Sequence, residues 1–83
     1  MACIRYITET KIFSANGQTD SQCNTILFIN TGSDAVNVDG LILQTNQSLE
    51  IQGNANEINI KTYNFLFATS VAPQLTIIFK RYV

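Results

Sequence analysis

Val36-Asn37-Val38-Asp39-Gly40-Leu41-Ile42-Leu43 sets two three-residue runs of strand-compatible residues on either side of Asp-Gly. Two residues that tolerate positive φ, placed between short apolar runs, fit a type I′ turn, whose twist matches that of the strands it joins. The octapeptide therefore predicts a β-hairpin, and the chain on both sides continues in the same style. Thr25 to Ile29 is apolar on both faces at its centre and reads as a central strand, ended by the turn residues Asn30-Thr31-Gly32-Ser33-Asp34. Nearer the N-terminus, Ile4, Tyr6, Thr8, Thr10 and Ile12 alternate with Arg5, Ile7, Glu9 and Lys11, the period-two signature of a half-buried strand. Asn16-Gly17 then signals a turn, so the first two strands are expected to form a hairpin.

Downstream of the octapeptide, Gln44 to Gln47 reads as a loop, Leu49 and Ile51 alternate with Glu50 and Gln52, and Gly53 to Asn56 turns. Ile58, Ile60 and Thr62 alternate with Asn59 and Lys61. Tyr63 to Phe67 and Leu75 to Tyr82 supply the last two strands, with Pro73 fixing the turn before the final one. No stretch of ten residues shows helical amphipathicity. The expected fold is all-β, one small antiparallel β-sandwich of seven to eight short strands spanning residues 1–83, with a small barrel as the alternative. Its expected core is Ile4, Tyr6, Ile12, Leu27, Ile29, Val36, Val38, Leu41, Leu43, Leu49, Ile51, Ile58, Ile60, Phe65, Phe67, Leu75, Ile77 and Phe79.

Once each strand is given an inward face, Ile26, Phe28, Ile42, Leu66 and Ile78 remain on the outside. Each contributes on the order of 1.5 to 3 kcal/mol when fully buried, so a partner covering these five residues would stabilise the fold. The competing explanations are a strand covered on both sides within one subunit, or a one-residue slip in the assigned register, which moves every side chain to the other face. Size points toward a partner. A chain of 83 residues buries only about 60 to 65% of its unfolded surface, so its stability alone is small. Charged residues make up 13% of the chain, about half the usual share, and the net charge of −1 gives little repulsion between copies and no field to attract nucleic acid or an anionic membrane.

The chain has no histidine and two cysteines, which excludes zinc sites and histidine-assisted nucleophiles, so neither a metal nor another cofactor is expected. Six carboxylates remain: Glu9, Asp20, Asp34, Asp39, Glu50 and Glu57. The strand pattern puts Glu9 and Glu50 on outer faces and the aspartates in turns, an arrangement that suits solvated residues and not a general acid/base pair. Asn54-Ala55-Asn56-Glu57 carries one carboxylate where calcium loops need several, and reads as an amide-rich turn. Lys80-Arg81-Tyr82 is too small a basic patch for nucleic acid and reads as a solvated strand end. Asn46-Gln47-Ser48 matches a glycosylation triplet, but the N-terminus Met1-Ala2-Cys3-Ile4-Arg5-Tyr6 meets a charge too early for a signal peptide, so the triplet reads as a loop. In the expected first hairpin Cys23 lies opposite roughly Ile12, which leaves Cys3 on the order of 30 Å away, far beyond the ~7 Å limit for a disulfide. Two buried free thiols are expected.

The stretch from Asn30-Thr31-Gly32 through Val36-Asn37-Val38-Asp39-Gly40-Leu41-Ile42-Leu43, followed by Asn46-Gln47-Ser48-Leu49-Glu50-Ile51, resembles a pattern in small β-sandwich proteins of tailed-phage virions. In those, an N-T-G turn leads into V-x-V-D-G-x-x-L and then P-G-x-S-L-x-I; here Thr45-Asn46 stands where Pro-Gly would be. The match covers about a quarter of the chain and consists mostly of turn residues. It implies a capsid decoration, head-fibre or tail-accessory protein, made in the host cytoplasm and carried in the virion, which self-associates and docks on a larger capsid or tail protein. It transfers no functional residue. The reading from the sequence is thus a non-enzymatic structural protein. A second class stays open: a glycan-binding module in which the nine asparagines and three tyrosines supply amide hydrogen bonds and stacking.

Overall fold

The computed structural model describes residues 5–54, 56–69 and 71–82. Eight strands form: β1 (Tyr6–Phe13), β2 (Gly17–Asp20), β3 (Thr25–Asn30), β4 (Val36–Val38), β5 (Leu41–Leu43), β6 (Ser48–Ile51), β7 (Thr62–Phe67) and β8 (Leu75–Tyr82). They make two four-stranded antiparallel sheets, ordered β1-β8-β3-β6 and β2-β7-β4-β5, which face each other without closing into a barrel. The β-sandwich expected from the sequence is the fold.

Val38 pairs with Leu41 across Asp39-Gly40, whose φ angles of 52° and 99° are those of a type I′ turn. The Gly40 N–H donates to Asn37 Oδ1 at 2.7 Å, which closes the turn from the side. Among the described strands this is the one hairpin between sequence neighbours. Every other connection crosses from one sheet to the other, and β1 pairs with β8 at the far end of the chain, Tyr6 opposite Tyr82 and Phe13 opposite Leu75. The expected β1–β2 hairpin is therefore not formed: Asn16-Gly17 carries the chain between sheets, and β2 pairs with β7. The Asn16 side chain fixes that crossing by accepting a hydrogen bond from the Phe67 N–H at 2.7 Å.

Between the sheets lie Ile26, Phe28, Val36, Val38, Leu43, Tyr63, Phe65, Leu75, Ile77, Phe79 and Cys23, with Phe13, Leu49, Ile51 and Phe67 packed at the margin. Phe65 stacks at an angle on Phe13 with centroids 4.8 Å apart, and Phe28 meets Tyr63 edge-on at 5.1 Å, a geometry that adds to simple area burial. Val36, Val38, Leu43, Phe65, Leu75, Ile77 and Phe79 occupy the core as the sequence predicts, and Leu49, Ile51 and Phe67 are half-buried there.

Three segments reverse the expected inward face. In β3 the buried residues are Ile26 and Phe28, while Leu27 and Ile29 face outward and are partly exposed. In β1, Tyr6 and Ile12 are exposed and Phe13 packs inward. In the segment before β7, Ile58 and Ile60 are exposed, and Asn59 turns inward to bridge Cys23. Leu41 is also exposed, at the open edge of the second sheet; Ile4 lies outside the described residues.

The cause in β3 is that a polar residue belongs inside. Asn30 is fully buried, and its amide donates to the carbonyls of Asp34 (2.7 Å) and Leu43 (2.9 Å) while its Oδ1 accepts from the Gly32 N–H at 3.1 Å. Asn24, at the other end, donates to the carbonyls of Asn54 and Glu57 and accepts from the Tyr82 N–H. Alternation places Ile26 and Phe28 on the same face as these two asparagines, so when the amides turn inward the large apolar residues go with them. The same logic acts at Asn59, whose carbonyl accepts from Ser21 Oγ (2.6 Å) and whose amide donates to the Tyr63 hydroxyl (2.8 Å).

Asn30 and Gly40 give two direct tests of this arrangement. Asn30→Asp keeps the shape but replaces a donor to two buried carbonyls with an acceptor, so we expect a loss of about 3 kcal/mol or more in chemical denaturation; a midpoint shift of less than a few tenths would show that Asn30 does not hold this end of the sandwich. Gly40→Val should cost roughly 1 to 3 kcal/mol from backbone strain alone, because a Cβ at Gly40 meets nothing within 4 Å and the cost lies entirely in φ. Asp39→Asn, which adopts the same conformation, should leave the midpoint nearly unchanged.

Candidate functional site

The five residues expected to form an exposed interface do not share a surface. Ile26 and Phe28 are in the core, for the reason given above, and are withdrawn from it. Ile42 and Leu66 are exposed on the outside of the second sheet, where both flank Asn37 in one cross-strand row. Ile78 lies on the outside of the first sheet. The outer row of Leu66, Asn37 and Ile42 frames a small depression of about 250 Å³, closed at its margins by Ala35, Gln44 and Ala68.

The outside of the first sheet carries a second group of apolar residues. Because Leu75, Ile77 and Phe79 point inward, Thr76, Ile78, Lys80 and Tyr82 point outward, and the registers extend them into rows. One row runs Ile12, Thr76, Ile29, Ser48; the next Thr10, Ile78, Leu27, Glu50; the next Thr8, Lys80, Thr25; the last pairs Tyr6 with Tyr82. Threonines and β-branched or aromatic residues dominate it, with one lysine and one glutamate as charges. Lys80 Nζ sits 4.4 Å above the Tyr6 ring and 5.0 Å from the Tyr82 ring, and the two rings meet edge-on at 6.1 Å. The cation is thus laid against aromatic faces, which flattens this end of the surface. The swap of inner and outer residues in β3 and β1 is what builds this face: it brings Leu27, Ile29, Tyr6 and Ile12 to the outside beside Ile78.

The remaining polar chemistry is engaged in holding turns and edges. Asp34 Oδ2 accepts from the Ala72 N–H (3.2 Å), Glu57 from the Asn54 N–H (3.0 Å) and Asp20 from the Thr62 hydroxyl (2.6 Å). Glu50 pairs with Gln52, Asp39 with Lys61, and Glu9 with Arg81 at 3.5 Å. The Asp39 carboxylate, hydrogen-bonded to Lys61, holds that ammonium above its usual pKa. No two of these carboxylates share a hydrogen bond. Among the described residues no three of Cys, Asp and Glu come together as a metal-ligand cluster. Lys80 and Arg81, neighbours in sequence, leave β8 on opposite faces: Arg81 donates from Nε to the Gln22 carbonyl (2.9 Å) and covers the inward-facing ring of Phe79.

Cys23 is a buried free thiol, bridged by its backbone to Asn59, as expected for a cysteine without a disulfide partner. Burial pushes its pKa up, with Arg81 and a backbone hydrogen bond opposing. Its position opposite Ile12 is not observed, because β1 and β2 are in different sheets; Cys3 lies outside the described residues. The Asn46-Gln47-Ser48 triplet is exposed and leads from the turn into β6, with Asn46 at φ 68° and the Gln47 side chain accepting from the Gln44 N–H. The asparagines that could have formed a sugar site are largely used internally: Asn16, Asn24, Asn30, Asn37 and Asn59 all bond to the chain's own turns and crossings. Tyr63 is buried, and Tyr6 and Tyr82 stand on the outer face of the first sheet, lining none of the five clefts of 250 to 490 Å³.

No protein-family model matches the sequence, and a search of curated proteins gives no match.

The face assignment is tested by a neighbouring pair. Ile77→Asp should unfold the domain, since it places a charge in a core position with no exposure. Ile78→Asp should preserve the β-sheet circular dichroism and a cooperative melt, with a stability change of about 1 kcal/mol or less. If Ile78→Asp also unfolds the chain, this face is covered within the subunit and is not a docking surface.

Proposed function

We propose that this chain is a non-enzymatic structural subunit that self-associates and docks on a larger assembly, a capsid or tail protein of a virion. The observation that carries the reading is the outer face of β1, β8 and β3, where exposed Tyr6 and Ile12 and half-buried Leu27, Ile29, Ile78 and Tyr82 lie in register on a surface with Lys80 as its one charge. A sheet face so poor in charge gains free energy when a partner excludes water from it. The small core adds to this, because a domain of this size gains stability from any surface it buries against a neighbour. Placement in a virion rests on the resemblance of the segment from Asn30 to Ile51, whose residues build turns here too: Asn30 and Gly32 at the β3–β4 crossing, Asp39-Gly40 in the hairpin, and Asn46 in the loop before β6. The glycan-binding alternative is not favoured, since five of the nine asparagine side chains are engaged in the fold and Tyr6 and Tyr82 pack edge-on against each other.

Sedimentation equilibrium and melting curves across a range of concentrations test the assembly reading. We expect association at micromolar concentration and a melting temperature that rises with concentration, while Leu27→Lys, which puts a charge in the middle of the outer face, should abolish docking on the larger assembly. A concentration-independent melt of a monomer would remove self-association from the function. For the virion, we expect the chain in density-purified particles at a fixed ratio to the major shell protein; its absence from particles would overturn that placement.

A further inference from the structure

We propose that two copies of this chain join edge to edge through β1, antiparallel, with Thr10 of one copy opposite Thr10 of the other. The inference rests on the self-association part of the function proposed above, and specifies the contact.

Three observations carry it. First, β1 is the outer strand of its sheet and is eight residues long, whereas the other three edge strands, β2, β5 and β6, have four, three and four. An edge strand presents a row of unpaired N–H and C=O groups, and natural proteins keep such edges short, interrupt them with proline, or cover them. β1 contains no proline, and all its residues are exposed except Phe13, which is half-buried.

Second, β1 carries charge in a self-complementary order. A two-fold axis normal to the sheet must pass beside one residue, which then stands opposite its own copy, because only same-face residues can be paired. With the axis at Glu9, two glutamates oppose each other directly; at Lys11, two lysines do. With the axis at Thr10, Glu9 of each copy opposes Lys11 of the other, so two opposite-charge pairs form at once. The same register sets Ile7 against Phe13 and Thr8 against Ile12. A charge pointing inward on an edge strand ordinarily discourages pairing, but here the two signs cancel across the axis.

Third, Glu9 and Lys11 are available for this role. They share the inward-facing side of β1, opposite Phe79 and Ile77 of β8, yet both are exposed, because the second sheet does not cover this strand. Lys11 Nζ lies 5.3 Å from the Phe79 ring centroid and has no carboxylate among its described partners, while Glu9 meets Arg81 only at 3.5 Å. Each side chain can turn toward the neighbouring copy without leaving a buried group unpaired.

The test is a charge exchange read by sedimentation velocity, with circular dichroism confirming the fold of each variant. Glu9→Lys alone and Lys11→Glu alone should each weaken dimerisation by about tenfold or more, since each turns two attractive pairs into two repulsive ones. Mixing the two variants should restore a heterodimer, in which the two lysines on the edge of one chain face the two glutamates on the edge of the other. The double exchange, Glu9→Lys with Lys11→Glu in one chain, should restore the homodimer. As an independent readout, Thr10→Cys in a Cys3→Ser background should form a disulfide-linked dimer under mild oxidation, while Thr8→Cys in the same background should not, because its neighbour across the axis is Ile12. Should the charge variants dimerise as tightly as the original chain, or Thr10→Cys fail to cross-link while the chain still associates, this contact is overturned and association runs through another surface, leaving the proposed function intact. A chain that stays monomeric at every concentration overturns the contact and the self-association together.

Discussion

The two asparagines at the ends of β3 are the constraint on which the rest of the sandwich depends. The chain passes between sheets at nearly every connection, so hairpin turns cannot hold the layers in place. Asn30 does so at one end, binding the β3–β4 crossing through Gly32 and Asp34 and the last strand of the hairpin through the Leu43 carbonyl. Its backbone also receives the β5–β6 loop, through Asn46 N–H to its carbonyl and its own N–H to the Gln47 carbonyl. Asn24 does the matching work at the other end, between the carbonyls of Asn54 and Glu57 and the end of β8. A buried amide left without partners would cost several kcal/mol, whereas one satisfied on both oxygen and nitrogen specifies a single geometry. The loops around them are fitted to match: a Cβ on Gly32 would lie 2.5 Å from the Ala72 carbonyl oxygen and the Gln74 nitrogen, and one on Gly53 2.5 Å from the Asn24 carbonyl oxygen.

This constraint also explains which parts of the fold the sequence reveals. The hairpin is legible because Asp39-Gly40 is a local signal that only one turn type satisfies. The strands β3, β7 and β8 are legible from their β-branched and aromatic runs. The inward face of β3 is not, because Thr25-Ile26-Leu27-Phe28-Ile29-Asn30 is apolar at all four central positions and its parity is set by the polar residue at its end. Ordinary alternation sends Asn30 outward and Phe28 with it; three backbone partners bring both in. Ile58 and Ile60 are misassigned for the same reason, around an inward Asn59. In β1 the deciding residue is Phe13, which packs on Phe65, while the rest of the strand extends past the cover of the second sheet.

The partner strands are the least legible feature. β1 pairs with β8 across almost the whole chain, and such long-range pairing carries no local sequence mark. It also brings a kinetic consequence, since the entropy of closing long loops must be overcome before these contacts form, and folding of such topologies is slow. During that interval the β1 edge and the outer face of β3 and β8 are open to other chains. On the proposed function, the surfaces left open late in folding would be the same ones that a neighbour covers.

Edge pairing and the outer face are geometrically linked. Four strands about 4.8 Å apart, with outward residues about 7 Å apart along each strand, give one outer face of roughly 500 Å². That is below the roughly 800 Å² per partner of a standard specific interface, so the face of one subunit is a weak docking platform. Joining two copies through β1 would place their outer faces side by side on one continuous eight-stranded sheet, since a two-fold axis normal to the sheet keeps both on the same side. The combined surface of about 1,000 Å² would reach the size of a standard specific interface. Across the seam, Thr8 of one copy would meet Ile12 of the other and Thr10 its own copy, so no charge stands at the seam itself, and Lys80 lies one strand further in. On the proposed function, dimerisation at the edge and docking on the face would be successive steps of one assembly, the first creating the area on which the second depends.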